Sequence, residues 1–292
     1  MRRGLGTAAV ALFLVASLAP AATAGGSGRP SGTRIAFITT TATGRQVARI
    51  REDGSGRHLV TEGSGTPFSV DWSPGGARIA YSRDTSDGSV IFTIAPDGSA
   101  RRRLTGGAKD LHPSWSPDAT RIAFTRCCAP QQNVFAVNVA TRDVSRLTRR
   151  PRRALDPSWS PDGRKVAFAE ERAFSTNIIV FDIVSGAYST LRRHRTDLFP
   201  AWAPDGRTIA FIRGRHAGAD ICTIHADGSG FRRLRRPGAD QQPSYSANGH
   251  RIVFSERSHG QWDLFTMHPD GSAPRRVTRT PGRDEYAPDY SP

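Results

Sequence analysis

An aromatic residue, a proline-type turn and a short apolar strand recur six times along this chain, at a spacing of 43 to 45 residues. The aromatics are Trp72, Trp115, Trp159, Trp202, Tyr245 and Tyr290. Such a period marks a repeat architecture, in which each unit is one supersecondary module that buries its apolar face only against its neighbours. Length alone would suggest two domains. The repeat nevertheless runs unbroken from Ile35 to the last residue, so a single domain over residues 33–292 is expected.

The unit is clearest at 156–168, Asp-Pro-Ser-Trp-Ser-Pro-Asp-Gly-Arg-Lys-Val-Ala-Phe. A strand ending in Trp159 meets a Ser-Pro-Asp-Gly turn, where proline presets φ and glycine accepts the left-handed conformation, and the chain returns as Val166-Ala167-Phe168. The return strand recurs as Ile35-Ala36-Phe37, Ile79-Ala80-Tyr81, Ile122-Ala123-Phe124, Ile209-Ala210-Phe211 and Ile252-Val253-Phe254. A third apolar strand follows, such as Val90–Ile94, and then a turn such as Asp97-Gly98. A fourth strand carries arginines, as in Arg101-Arg102-Arg103 and Arg275-Arg276. Arginine on an outermost strand blocks edge-to-edge pairing.

Four antiparallel strands repeated radially predict an all-β, six-bladed β-propeller. The first unit starts at its return strand and the last stops after its aromatic. The C-terminal strand is therefore expected to pair with the N-terminal blade and close the ring.

The first 24 residues read as a signal peptide, with Arg2 and Arg3 before an apolar run from Ala8 to Leu18 and Ala22-Thr23-Ala24 as the cleavage site. Residues 25–32 then form a short linker, and the mature chain is expected to be soluble in the periplasm or cell envelope, or secreted. The apolar run is too short for a membrane span. No cysteine near the cleavage site invites a lipid, and no C-terminal anchor follows.

Three cysteines, Cys127, Cys128 and Cys222, cannot build a disulfide framework. Cys222 stands where other units carry Phe92, Phe135 and Phe265, which marks it as a buried apolar residue. Cys127-Cys128 is open to reading as a vicinal disulfide, a redox pair or an incidental neighbourhood. The formal charge of +15 rests almost wholly on arginine, since Lys109 and Lys165 are the only lysines. Beside abundant Ala and Gly this bias fits GC-rich coding, and no nucleic-acid partner is expected.

The units resemble the TolB-like, WD40-like (PD40) propeller repeat family through the aromatic-Ser-Pro-Asp-Gly turn, the Ile-Ala-Phe strand and the later Asp-Gly…Arg-Leu-Thr segment. The resemblance covers 33–292 and implies the propeller fold. Ala119 replaces the turn glycine, Gly75-Gly76 replaces Asp-Gly, and Ala247-Asn248 replaces Pro-Asp. TolB resembles this chain only in its propeller, because its additional α/β domain has no counterpart between Gly25 and Arg34.

Propellers concentrate function at the channel mouth. Five residues before the aromatic stand Asp110, Asp197, Asp240 and Glu285, and Asp156 lies two positions later in its own unit. Clustered acids suggest a site for a cation or basic peptide; alternatively they cap strands or pair with Arg83, Arg126 and Arg213. His112 is the one histidine at an inner-strand position, too few for a metal site. The chain has no His-Glu-x-x-His, Gly-x-Ser-x-Gly or phosphate-cradling glycine loop. No cofactor or metal is expected. The reading is a monomeric, non-catalytic scaffold that binds a protein, peptide or envelope polymer through its channel face. The alternative is a propeller-type polysaccharide lyase or hydrolase.

Overall fold

A computed structural model describes residues 33–292 apart from 64, 107–108, 128–131, 150–151, 174, 192–195, 215–217 and 235–237. The signal-peptide and linker segments and Cys128 lie outside the described residues. The strands form six four-stranded antiparallel sheets, the blades of a propeller. Blade 1 is composite: Glu285–Tyr290 is its inner strand, followed by Arg34–Thr41, Gly44–Arg51 and His58–Leu59. Blade 2 comprises Pro67–Trp72, Ile79–Thr85, Gly88–Ile94 and Arg102–Arg103, and blade 3 Lys109–Trp115, Arg121–Cys127, Asn133–Asn138 and Val144–Arg146. Blade 4 runs Arg153–Trp159, Lys165–Arg172, Ser175–Asp182 and Tyr188–Thr190. Blade 5 holds Asp197–Trp202, Thr208–Arg213, Asp220–His225 and Arg232–Leu234, and blade 6 Ala239–Tyr245, Ile252–Ser258, Gln261–Met267 and Arg275–Arg276.

The last strand closes the ring, with Tyr290 opposite Ile35 and Glu285 opposite Thr39. The return strands, second in each blade, are the most completely buried: Ile35, Phe37, Ile79, Tyr81, Ile122, Phe124, Phe168 and Phe254 are fully enclosed. The repeated aromatics fill the wedge between neighbouring sheets. Trp72 packs with Ile79 and Tyr81 of its own blade and with Ala36, Ile38 and Val47 of blade 1, and Trp202 packs against Ala167 and Ile178 of blade 4. Cys222 is buried in that second cluster, and burial pushes its thiol up to about 12, so it acts as a small apolar residue.

Outer-strand arginines are largely exposed, and two reach back to acids of the third strand: Arg233 to Asp220 and Arg276 to Asp263. The Ser-Pro-Asp-Gly turns are held by their serine. In blade 3, Ser116 Oγ accepts from the Arg121 amide at 2.9 Å and donates to Asp118 at 2.5 Å. Ala119 there adopts a φ of 56°, the conformation that Gly163, Gly206 and Gly249 take in other blades.

Candidate functional site at the aromatic end of the channel

Five of the six inner strands carry a proline two residues before the aromatic: Pro113, Pro157, Pro200, Pro243 and Pro288. Proline has no amide hydrogen for the ladder, so the strand bulges, and the register with the second strand shifts at this point. The residue before each proline is left-handed: His112, Asp156, Phe199, Gln242 and Ala287 have φ of 50° to 53°. A non-glycine residue in this region costs about 1–2 kcal/mol. Blade 2 has Ser69-Val70 instead and keeps an ordinary φ there.

These five residues and Ser69 converge on one cavity of about 400 Å³, which is lined from all six blades. The bulge thus places one side chain per blade in the channel lining. Around them the wall is made of the aromatics and of prolines such as Pro113, Pro157 and Pro200, so its body is apolar.

Two residues further along each strand, the side chain before the aromatic links neighbouring blades. The Trp115 amide donates to Asp71 at 2.6 Å, Trp159 to Ser114 at 3.3 Å, Trp202 to Ser158 at 3.2 Å, Tyr290 to Ser244 at 3.5 Å and Trp72 to Asp289 at 2.7 Å. Ala201, which has no side-chain acceptor, cannot form the sixth link. The belt crosses the chain ends through Asp289, so hydrogen bonds as well as strand pairing close the ring.

Two carboxylates of this belt, Asp71 and Asp289, face the cavity from adjacent blades. Burial and the charge of Asp289 raise the Asp71 carboxyl well above the usual carboxylate range. Burial raises Asp289 to about 6, against the hydrogen bonds it accepts from Ser244, Trp72 and Tyr290. Across the cavity, His112 Nδ1 lies 2.8 Å from Asp156 Oδ1. Burial of the imidazole works against its charge, but the Asp156 carboxylate outweighs it and holds His112 above its usual range. No arginine or lysine is among the described residues of the lining.

The remaining expected acids sit at the opposite end of the inner strands, buried in their own blades. Asp110 accepts two hydrogen bonds from Arg126, at 2.7 and 2.8 Å, and Asp197 two from Arg213, both at 2.7 Å. Glu285 pairs with Arg57, a residue from the far side of the same composite blade, and Asp240 is fully buried. Arg83 occupies the blade 2 counterpart of Arg126 and Arg213 but faces Pro67. Of the residues expected from the sequence, the fold therefore brings His112 and Asp156 to the cavity, whereas Asp71 and Asp289 were missed. A recurring Xaa-Pro two residues before the aromatic was the available signal for the lining.

An all-β ring of six blades with a ligand-sized cavity at one end of its channel defines the class as a closed β-propeller with a channel-mouth pocket. The sequence matches the TolB beta propeller domain (PD40) over residues 27–247, and the chain belongs to that family. Its fold is similar to the crystal structure of TolB from Acinetobacter baumannii, with a TM-score of 0.79, 22% identity and coverage of 88% of this chain. This chain spans 66% of that protein's length. A putative TolB from Agrobacterium tumefaciens superposes with a TM-score of 0.71 at 18% identity, over 90% of this chain and 100% of that one. An oligogalacturonate lyase in complex with manganese is more distant, with a TM-score of 0.56 and 15% identity over 86% of this chain and 75% of that one. No curated protein matches the sequence. No helix among the described residues is long and apolar enough to cross a membrane.

Proposed function

We propose that this protein is an exported, non-catalytic propeller scaffold that binds a protein or peptide segment at the aromatic end of its channel. The bound segment presents a cationic group to Asp71, Asp156 and Asp289. One observation carries this reading: in a chain with a net charge of +15, the cavity wall holds three carboxylates and, among its described residues, no arginine or lysine. A pocket lined by three carboxylates and a single histidine in a basic protein concentrates a cation locally. The proline and aromatic wall suits the apolar stem of a lysine or arginine side chain.

The fold likeness to TolB structures supports a binding scaffold, and the lyase reading has less support. Among the described residues no group of three or more His, Cys, Asp or Glu is arranged to hold a metal ion. Four of the five tryptophans line the cavity, so intrinsic fluorescence reports its occupancy. Titration with short lysine- or arginine-containing peptides should change that fluorescence saturably, whereas norleucine-substituted peptides should not. Turnover of an oligogalacturonate by purified protein would instead favour the lyase. Export is tested by N-terminal sequencing, which should find Gly25 first.

A further inference from the structure

The end of the channel opposite the cavity repeats one device and leaves it unfinished once. In blades 3 and 5 an aspartate at the start of the inner strand, five residues before the aromatic, is in register with an arginine of the second strand, Asp110 with Arg126 and Asp197 with Arg213. Each pair is bidentate at 2.7–2.8 Å, the geometry in which a guanidinium fork meets a carboxylate. Each guanidinium also lies over two aromatic rings: Arg126 over Phe124 and Phe135 at 5.2 and 5.1 Å, and Arg213 over Phe211 and Phe231 at 5.4 and 4.5 Å.

Blade 2 keeps the arginine and the aromatic pair but not the acid. Arg83 is in register with Pro67, and Tyr81 and Phe92 stack at 5.5 Å in the places of the phenylalanines. Arg83 is only 9% exposed, and among the described residues it has no ion-pair partner. Burying a guanidinium without a counter-charge is costly. The backbone is shaped around it: Gly65 has a φ of 115°, and a Cβ there would come within 2.2 Å of Arg83 Nε. The nearby Tyr81 hydroxyl is enclosed beside the Arg83 and Arg101 guanidiniums, and Arg101 lies 5.9 Å over the Phe92 ring. Arg83 is nevertheless not fully enclosed.

We propose that Arg83 is a carboxylate-binding site, at which a ligand carboxylate takes the place that Asp110 and Asp197 fill in blades 3 and 5. A carboxylate is favoured over other anions because the two completed copies of the same site hold carboxylates. Carriers of this group include a peptide C-terminus, an acidic side chain and a uronate.

The test uses sodium acetate as probe, at constant ionic strength against chloride, with thermal unfolding as readout. Acetate should raise the Tm of the wild-type protein saturably, and Pro67→Asp should raise it without acetate and abolish the acetate response. Arg83→Lys keeps the charge and loses the fork, and should weaken acetate binding by about tenfold or more. Run alongside, glucuronate and glycylglycine with a free or amidated C-terminus identify the carrier that binds best, each through Arg83. An acetate effect that persists in Pro67→Asp and Arg83→Lys, no effect at all, or stabilisation by phosphate but not by acetate overturns the assignment.

Discussion

The two ends of the channel carry similar numbers of acids and use them differently. At the start of the inner strands Asp110, Asp197 and Glu285 are enclosed and each is matched by an arginine of its own blade. At the aromatic end Asp71, Asp156 and Asp289 line an open cavity where no described residue is a lysine or arginine. A carboxylate neutralised inside its blade fixes that blade's geometry and is not available to a partner. At the cavity Asp156 is set against His112, whereas Asp71 and Asp289 accept hydrogen bonds from backbone amides and Ser244, and burial raises the pKa of both. The comparison shows why a row of acids in sequence is a poor guide to a site: what decides function is whether the fold supplies the counter-charge internally.

The comparison breaks first at the buried end. Asp197→Ala would leave Arg213, whose side chain is 6% exposed, without its partner, and should cost about 3–5 kcal/mol by denaturant unfolding. Asp156→Ala at the cavity should change stability far less, since its partner His112 can lose its proton. Equal losses in the two variants would erase the distinction.

A smaller effect tests the cavity acids. The folded protein holds Asp289 at about 6, above the ordinary value, so it binds more protons than the unfolded chain between those pH values. The contribution of the Asp71–Asp289 pair is therefore present at low pH and is lost as pH rises through about 6. Asp71→Asn retains an acceptor for the Trp115 amide and removes the repulsion. Its Tm relative to wild type should rise between pH 5 and pH 8, and a difference that stays flat or falls would show that the two carboxylates do not interact.

The smallest effect separates incidental strain from strain tied to the cavity. Ala119 and His112 are both left-handed non-glycine residues of blade 3. Ala119→Gly should stabilise by about 0.5–1 kcal/mol and leave peptide binding unchanged. His112→Gly should relax the same kind of strain but weaken binding, because it removes a cavity side chain.

The periodicity of the aromatics and of the Ile-Ala-Phe strands made the blades, their number and the closing strand legible, because these depend on patterns local to each unit. His112 and Asp156 were legible as polar residues of inner strands. Asp71 and Asp289 were not: the position before the aromatic reads Asp, Ser, Ser, Ala, Ser and Asp around the ring, and only closure makes the first and last of these neighbours. The pairing of Glu285 with Arg57 was hidden for the same reason, as the two lie 228 residues apart in the chain. The pairing of Arg126 and Arg213 with their aspartates was readable as one of two alternatives, and the register of the first two strands decided it.

The central claim is that the acids at the aromatic end bind a cationic segment. Its most direct test is a tryptophan-fluorescence titration of the wild type and of an Asp71→Asn, Asp156→Asn, Asp289→Asn variant with a lysine-containing peptide, at low and at 0.5 M salt. The account predicts saturable binding by the wild type that weakens with salt, and binding at least tenfold weaker in a triple variant that still unfolds cooperatively. A folded triple variant that binds the same peptide with unchanged affinity would contradict it.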